Sequence, residues 1–224
     1  MSLISAATDG HFTFWDLTST LDPFYTITHS TLKAKKPFDG SSFSPENITC
    51  ESRYLIHSNS IKSLELLPIS ETNTVIVTGG DDNSISVSLL TTPSDPSLSA
   101  QVTTVSIPDA HAAAVTAVKV LSQQVSRDVA SNTESAKITV ASSGNDHRVK
   151  IWSITVDPKQ LGTRGITVEF LLDRYSSVAD VSSLGLIHGS ERDLSAETDV
   201  SSLKENQPKI VVGGVGMEMF GIKL

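Results

Sequence analysis

Two histidines and a pair of aspartates are the side chains of this sequence best suited to chemistry. His57 and His111 are of the type that ligates metals or moves protons near neutral pH, and Asp81-Asp82 carries enough charge to hold a divalent cation. Their surroundings in the sequence support neither role. No cluster of Asp, Glu or Cys stands at ligand spacing from either histidine, and the single cysteine, Cys50, excludes an internal disulfide and a thiolate site. Gly213-Gly-Val-Gly216 is glycine-rich enough to suggest a phosphate cradle. Such a loop needs a helix behind it, and the residues that follow read as a strand. Lys33-Ala-Lys-Lys36 is the one dense basic run, fitting either a solvated loop or contact with RNA or an acidic partner. Paired catalytic carboxylates, a Ser–His–Asp grouping, an activated cysteine and a nucleotide motif are all missing. The sequence does not read as an enzyme, and it calls for no cofactor.

A repeat positions these residues. A short β run ends in Ser or Thr, an Asp follows four residues later, and a second β run lies behind it. The copies are Ser5-Ala-Ala-Thr-Asp9 with Trp15, Thr78-Gly-Gly-Asp-Asp82 with Ser88, and Ser142-Ser-Gly-Asn-Asp146 with Trp152. Strand–turn–strand grammar with a Trp on the second strand predicts propeller blades. Two units are preceded by one further motif, His57-x-x-x-Ile61-x-x-Leu64 and His111-x-x-x-Val115-x-x-Val118. Alternation of β-branched residues then predicts four strands per unit. They are Ile61 to Leu67, Val75 to Thr78, Ser84 to Leu90 and Thr103 to Ile107 in one unit. In the next they are Val115 to Leu121, Lys137 to Ser142, Arg148 to Ile154 and Ile166 to Asp173.

The flanks are partial. Leu3 to Ala6 and Phe12 to Leu17 read as two strands, and Val181 to Ile187, Lys209 to Val212 and Met217 to Lys223 as three, with a turn at Gly216. Ser/Thr/Pro-rich stretches at Thr18 to Asn47, Thr91 to Ala100, Ser122 to Ala136 and Gly189 to Gln207 read as loops. The expected units are 1–56, a partial blade with a long loop; 57–107 and 108–174, full blades; and 175–224, a three-stranded closing blade. Propellers close with about four to eight blades. Three to four blades therefore predict part of a larger propeller, a truncation, or half of an assembly.

These motifs resemble the WD40 family over most of the chain. The resemblance implies an all-β, incomplete WD40 propeller tied by a hydrogen-bonded tetrad of His, Ser/Thr, Asp and Trp in each blade. Carried over residue by residue, the full set is His111, Ser142, Asp146 and Trp152. The preceding blade offers His57, Thr78 and Asp82, with Ser88 where Trp would stand. The first blade offers Ser5, Asp9 and Trp15 without a His. The last has Val212 and Gly216 in place of Ser and Asp, so no tetrad is expected there. Asn83, Asn145 and His147, beside the tight turns, are the candidate interface residues.

The segments Val178-Ala-Asp-Val181-Ser-Ser-Leu184 and Ile210 to Phe220 are similar to the closing blade of one WD40 subunit, the partner of the tRNA wobble-position ribose 2′-O-methyltransferase. His57 to Leu64 and Val77 to Asp82 are similar to it as well. The resemblance implies a non-catalytic scaffold that docks the S-adenosylmethionine-dependent enzyme and helps position tRNA for methylation at nucleotide 34. A general interaction scaffold, such as a ubiquitin-ligase adaptor or a trafficking subunit, is the other reading.

Composition agrees with a binding module. The 224 residues carry a net charge of −8 and are 38% hydrophobic. None of their apolar runs approaches the ~20 residues that span a bilayer, and the N-terminus lacks a signal-peptide pattern. A soluble cytoplasmic protein is expected. The acidic balance disfavours indiscriminate phosphate binding.

Overall fold

The computed structural model describes residues 2–16, 52–93, 99–128, 133–160, 162–187 and 208–222. The whole stretch from Thr18 to Asn47, with Lys33 to Lys36 in it, and the segment from Gly189 to Gln207 lie outside the described residues. Thirteen strands form four antiparallel sheets, as the all-β propeller reading expects. The first sheet is β1 (Ser2–Ala6), β2 (His11–Asp16) and β3 (Ser52–Leu55), in that order. The second runs β4 (Ile61–Pro68), β5 (Asn73–Gly80), β6 (Ile85–Thr91) and β7 (Gln101–Ile107). The third runs β8 (Val115–Asp128), β9 (Thr133–Gly144), β10 (Arg148–Val156) and β11 (Ile166–Tyr175), with a 3-10 turn at Gly162–Gly165 before its last strand. The fourth pairs β12 (Ala179–Ile187) with β13 (Lys209–Gly221).

Each sheet is a meander, so every strand pairs with its sequence neighbour and local turns fix the register. The first strands of successive sheets lie against one another, β4 on β8 and β8 on β12. Three apolar seams join the sheets in series. Phe12, Phe14, Ile56, Ile76 and Leu90 fill the first. Val75, Val77, Val87, Val115, Val140 and Trp152 belong to the second. Val149, Ile151, Val181, Ile210, Val212 and Phe220 belong to the third. β5 and β10, the inner strands of their sheets, are buried on both faces along most of their length. The described sheets do not close into a ring.

Three local features depart from the sequence reading. The expected loop from Ser122 to Ala136 is mostly strand. β8 and β9 continue pairing out to Asp128 opposite Thr133, with Arg127 3.5 Å from Glu134 near the tip. This extension is largely exposed, so main-chain pairing holds it without an apolar face for a pattern search to detect. Ser52–Leu55, unassigned in the sequence, pairs with β2 as an outer strand. The expected strands Lys209 to Val212 and Met217 to Lys223 fall within the single strand β13 and just beyond it. The Ile222 N–H donates to the Pro208 carbonyl at 3.0 Å, whereas a straight strand of this length would part its ends by ~40 Å. β13 therefore doubles back, and Gly216, at φ +114°, supplies a conformation closed to L side chains.

One buried group is left over. The hydroxyl of Ser143 has no hydrogen-bond partner among the described residues. An orphaned buried hydroxyl costs roughly 1–3 kcal/mol. Ser143→Ala is therefore expected to raise stability by about 1 kcal/mol, read as a rightward shift in a urea melt. A leftward shift would contradict the assignment.

Candidate functional site

The polar residues singled out in the sequence gather at one end of the sheets, beside the tight turns. In the third sheet, His111 sits on the segment entering β8, Ser142 on β9, Asp146 in the β9–β10 turn and Trp152 on β10. The indole N–H of Trp152 donates to Ser142 Oγ at 2.8 Å, and Ser142 Oγ lies 2.8 Å from His111 Nε2. His111 Nδ1 is 3.0 Å from both carboxylate oxygens of Asp146. Asp146 also accepts the main-chain N–H of Ala112 at 2.9 Å and of Arg148 at 3.1 Å.

One proton arrangement satisfies every member of this chain. Trp152 donates to Ser142, the Ser142 hydroxyl donates to Nε2, and Nδ1–H donates to the carboxylate. Electrostatics agree with that assignment. Burial depresses the His111 pKa from its ordinary value against the opposing pull of Asp146, so the imidazole is neutral. Burial alone would raise the Asp146 pKa, but the donors His111, Ala112 and Arg148 together hold it low. The Ser142–His111–Asp146 order matches that of a catalytic triad, but Ser142 and His111 are buried and the Trp152 indole caps the hydroxyl, so the set ties strands together with no opening for a substrate at Oγ.

The second sheet repeats the wiring with local repairs. His57 Nδ1 is 2.8 Å from Asp82, and its Nε2 is 2.9 Å from Thr78 Oγ1. Asp82 accepts from the Ser58 N–H at 2.8 Å and from the Ser84 hydroxyl at 2.6 Å. Burial works to raise the Asp82 pKa, but bonds from Ser84, His57 and Ser58 outweigh it and hold the carboxyl at about 2. Ser88, at the tryptophan position, turns away to Thr104 at 2.7 Å. Gly80 and Gly144 precede the two turns because the imidazoles occupy the space. A Cβ at Gly80 would fall 2.5 Å from His57 Nδ1, and one at Gly144 2.8 Å from the Ala114 carbonyl oxygen and 3.1 Å from His111 Nδ1.

The outer sheets are looser variants. In the first, the Trp15 indole donates to Ser5 Oγ at 3.1 Å, while Asp9 pairs with Arg53 of β3 and accepts the His11 N–H at 3.1 Å. The His11 N–H and the Arg53 charge lower the Asp9 pKa, but this carboxylate is exposed. In the last, where the sequence shows no tetrad, Glu218 takes over the role of the turn aspartate. It accepts from the Ser176 hydroxyl at 2.9 Å and from the Ser177 N–H at 3.0 Å. These bonds lower the Glu218 pKa, with Arg174 contributing. The sequence hides this pair because Ser176 lies five residues before Val181, where His57 and His111 lie four before Ile61 and Val115. Asp180, at φ +46°, accompanies the extra residue.

A second repeated device couples neighbouring sheets. Gly10, Asn83 and His147 stand in the turns at φ +81°, +63° and +60°. Their carbonyls accept the N–H of His57 at 3.1 Å, of His111 at 3.1 Å and of Ser176 at 2.8 Å. Each turn thus anchors the first polar residue of the following sheet. Asn83 and His147 serve through their main chain, and the His147 ring packs on Tyr175 with its Nδ1 3.1 Å from the Val178 carbonyl. Asn145 is exposed and donates its N–H to Ala114. The structure therefore joins the predicted His, Ser or Thr and Asp in the second and third sheets, leaves Ser88 and Asp9 bonded elsewhere, and converges none of the described residues of different sheets on a common cavity. Among the described residues no group of three or more His, Cys, Asp or Glu could hold a metal ion, and no helix is long and apolar enough to cross a membrane.

No protein-family model matches the chain. Two curated proteins do match in part. They are the tRNA (34-2′-O)-methyltransferase regulator WDR6 of Homo sapiens and that of Pongo abelii, each 34% identical over 88 residues. This chain is similar to part of that regulator. The match covers 39% of this chain and 7% of the relative's length, so the alignment spans a small fraction of the longer protein. The relative is, by its name, a regulator of a methyltransferase.

Proposed function

We propose that this chain is a non-catalytic WD40-type subunit that docks a tRNA ribose 2′-O-methyltransferase and helps hold tRNA for methylation at the wobble nucleotide. The observation that carries the reading is the 34% identity over 88 residues to the WDR6 regulator. The geometry supports a scaffold, since its histidines and carboxylates are spent on tying strands together. Such a subunit acts through orientation of enzyme and substrate rather than by making bonds. The side chains of Asn83, Asn145 and His147, at the turn end of the sheets, are candidates for contact with the partner.

Loss of the protein should remove the 2′-O-methyl group of nucleotide 34 from the tRNAs that carry it, with other ribose methylations intact. Mass spectrometry of digested tRNA from depleted and complemented cells reads this directly. Affinity purification through a tag at Leu224 should recover the methyltransferase in near-equal amount. Unchanged nucleotide 34 together with a different stable partner would sink the reading in favour of a general interaction scaffold.

A further inference from the structure

A cleft of 640 Å³ opens between the outer strand of the third sheet and the end of β13. Of its lining only Arg174 touches a polar staple, through Glu218, and its construction is specific. β11 carries an irregularity in register: Trp152 pairs with Phe170 and Ile151 with Leu172, which leaves Leu171 as the extra residue of a bulge. The bulge breaks strict alternation. Phe170 turns toward Trp152, ring against ring at 5.4 Å, while Leu171 and Leu172 both line the cleft and face Phe220 and Ile222 across it. Both leucines stay about half exposed, at 54% and 47%. Two consecutive wet leucines on an outer strand mark an interaction surface more readily than scattered single ones.

The charged lining identifies the occupant. Lys137 and Arg174 are cationic and Glu169 is the one anion, on a chain whose net charge is −8. The Arg174 guanidinium is already fixed, 4.1 Å from the centre of the Phe220 ring and 3.6 Å from Glu218. A preordered cation loses little freedom when an anion docks. We infer that this cleft binds a protein segment that presents two adjacent apolar side chains with a carboxylate beside them. The half-exposed Leu171 and Leu172 take the apolar pair, and Lys137 and Arg174 take the carboxylate. On the reading above, the methyltransferase would supply this segment. The cleft's chemistry stands apart from that attribution.

The test uses the full chain and short synthetic peptides carrying adjacent leucines flanked by aspartates, with matched peptides in which lysines replace the aspartates. Fluorescence anisotropy should show the acidic peptides binding and the basic ones roughly tenfold weaker or worse. Lys137→Glu, an exposed position, should weaken the acidic peptides about tenfold and narrow or reverse the preference. Leu172→Asp should abolish binding, with circular dichroism confirming that the strands persist. Failure of every peptide to bind, or binding indifferent to Lys137→Glu, would overturn the inference. So would sedimentation showing that the cleft instead joins two copies of this chain, through self-association lost in Leu172→Asp. Loss of nucleotide 34 methylation on depletion with no peptide binding would retire the cleft and leave the proposed function standing. Binding without that loss would do the reverse.

Discussion

Asp146→Ala should destabilise the protein by about 2–3 kcal/mol, because it leaves the buried His111 N–H and two main-chain donors without their acceptor. Native domains hold only ~5–15 kcal/mol in total, so this variant should melt far earlier or lose its cooperative transition. The carboxylate side chain is 8% exposed and accepts from His111 Nδ1, Ala112 N–H and Arg148 N–H. Alanine leaves all three donors without an acceptor; water reaches the Ala112 and Arg148 N–H groups at the exposed turn, while the buried His111 Nδ1–H loses its partner outright. Asp146→Asn should fall between, because an amide oxygen serves fewer donors than a carboxylate and its NH2 faces other donors. Asp9→Ala is the control, since its partners Arg53 and His11 are solvated, and its melt should stay close to wild type. Urea denaturation of the three variants decides the matter. Equal midpoints for Asp146→Ala and Asp9→Ala would refute the view that the third sheet depends on its staple.

Acid should destabilise the protein in two stages. His111 has a folded pKa below its ordinary 6.5 because it is buried neutral. The unfolded chain binds a proton there first, so stability begins to fall as pH drops below about 6.5. The second stage belongs to the carboxylates. Asp82 sits at about 2 against an ordinary 3.8, and Asp146 is lowered as well. Their stabilisation is complete above pH 3.8 and is lost as pH falls toward 2. Each proton taken up on unfolding contributes a slope of about 1.4 kcal/mol per pH unit. Denaturation midpoints collected from pH ~8 to ~3 should be flat at the top, then decline in both windows. Asp82→Asn should remove most of the lower decline that Asp82 contributes. A stability profile flat from neutrality to pH ~5 would show that His111 is not held neutral in the fold.

Much of this fold is written in local sequence, because the repeat unit is a local object. Ser142-Ser-Gly-Asn-Asp146 carries its own turn, and the β-branched runs on either side have no helical period to compete with. His111, four residues before Val115, was legible for the same reason: the imidazole must reach back across two strands to the turn, and that fixes its spacing. The same logic missed Ser176 and Glu218. A one-residue insertion beside Asp180 shifts the register, and a longer carboxylate with a shorter hydroxyl reproduces the bond from different positions. It also misread Ser122 to Ala136, where pairing is held by main-chain bonds that leave no apolar signature.

The sequence by itself determined the strand–turn–strand units and carried the resemblance to one tRNA-modification partner, because both rest on short motifs whose residues lie close together in the chain. Only the tertiary structure decided how the units join. The carbonyls of Gly10, Asn83 and His147 meet the next sheet's first polar residue across 28 to 47 positions, and the Leu171 bulge meets β13 to form a charged, apolar-walled cleft. Such contacts follow from backbone conformation and from the packing of one sheet on the next, and neither leaves a spacing in the chain to be read.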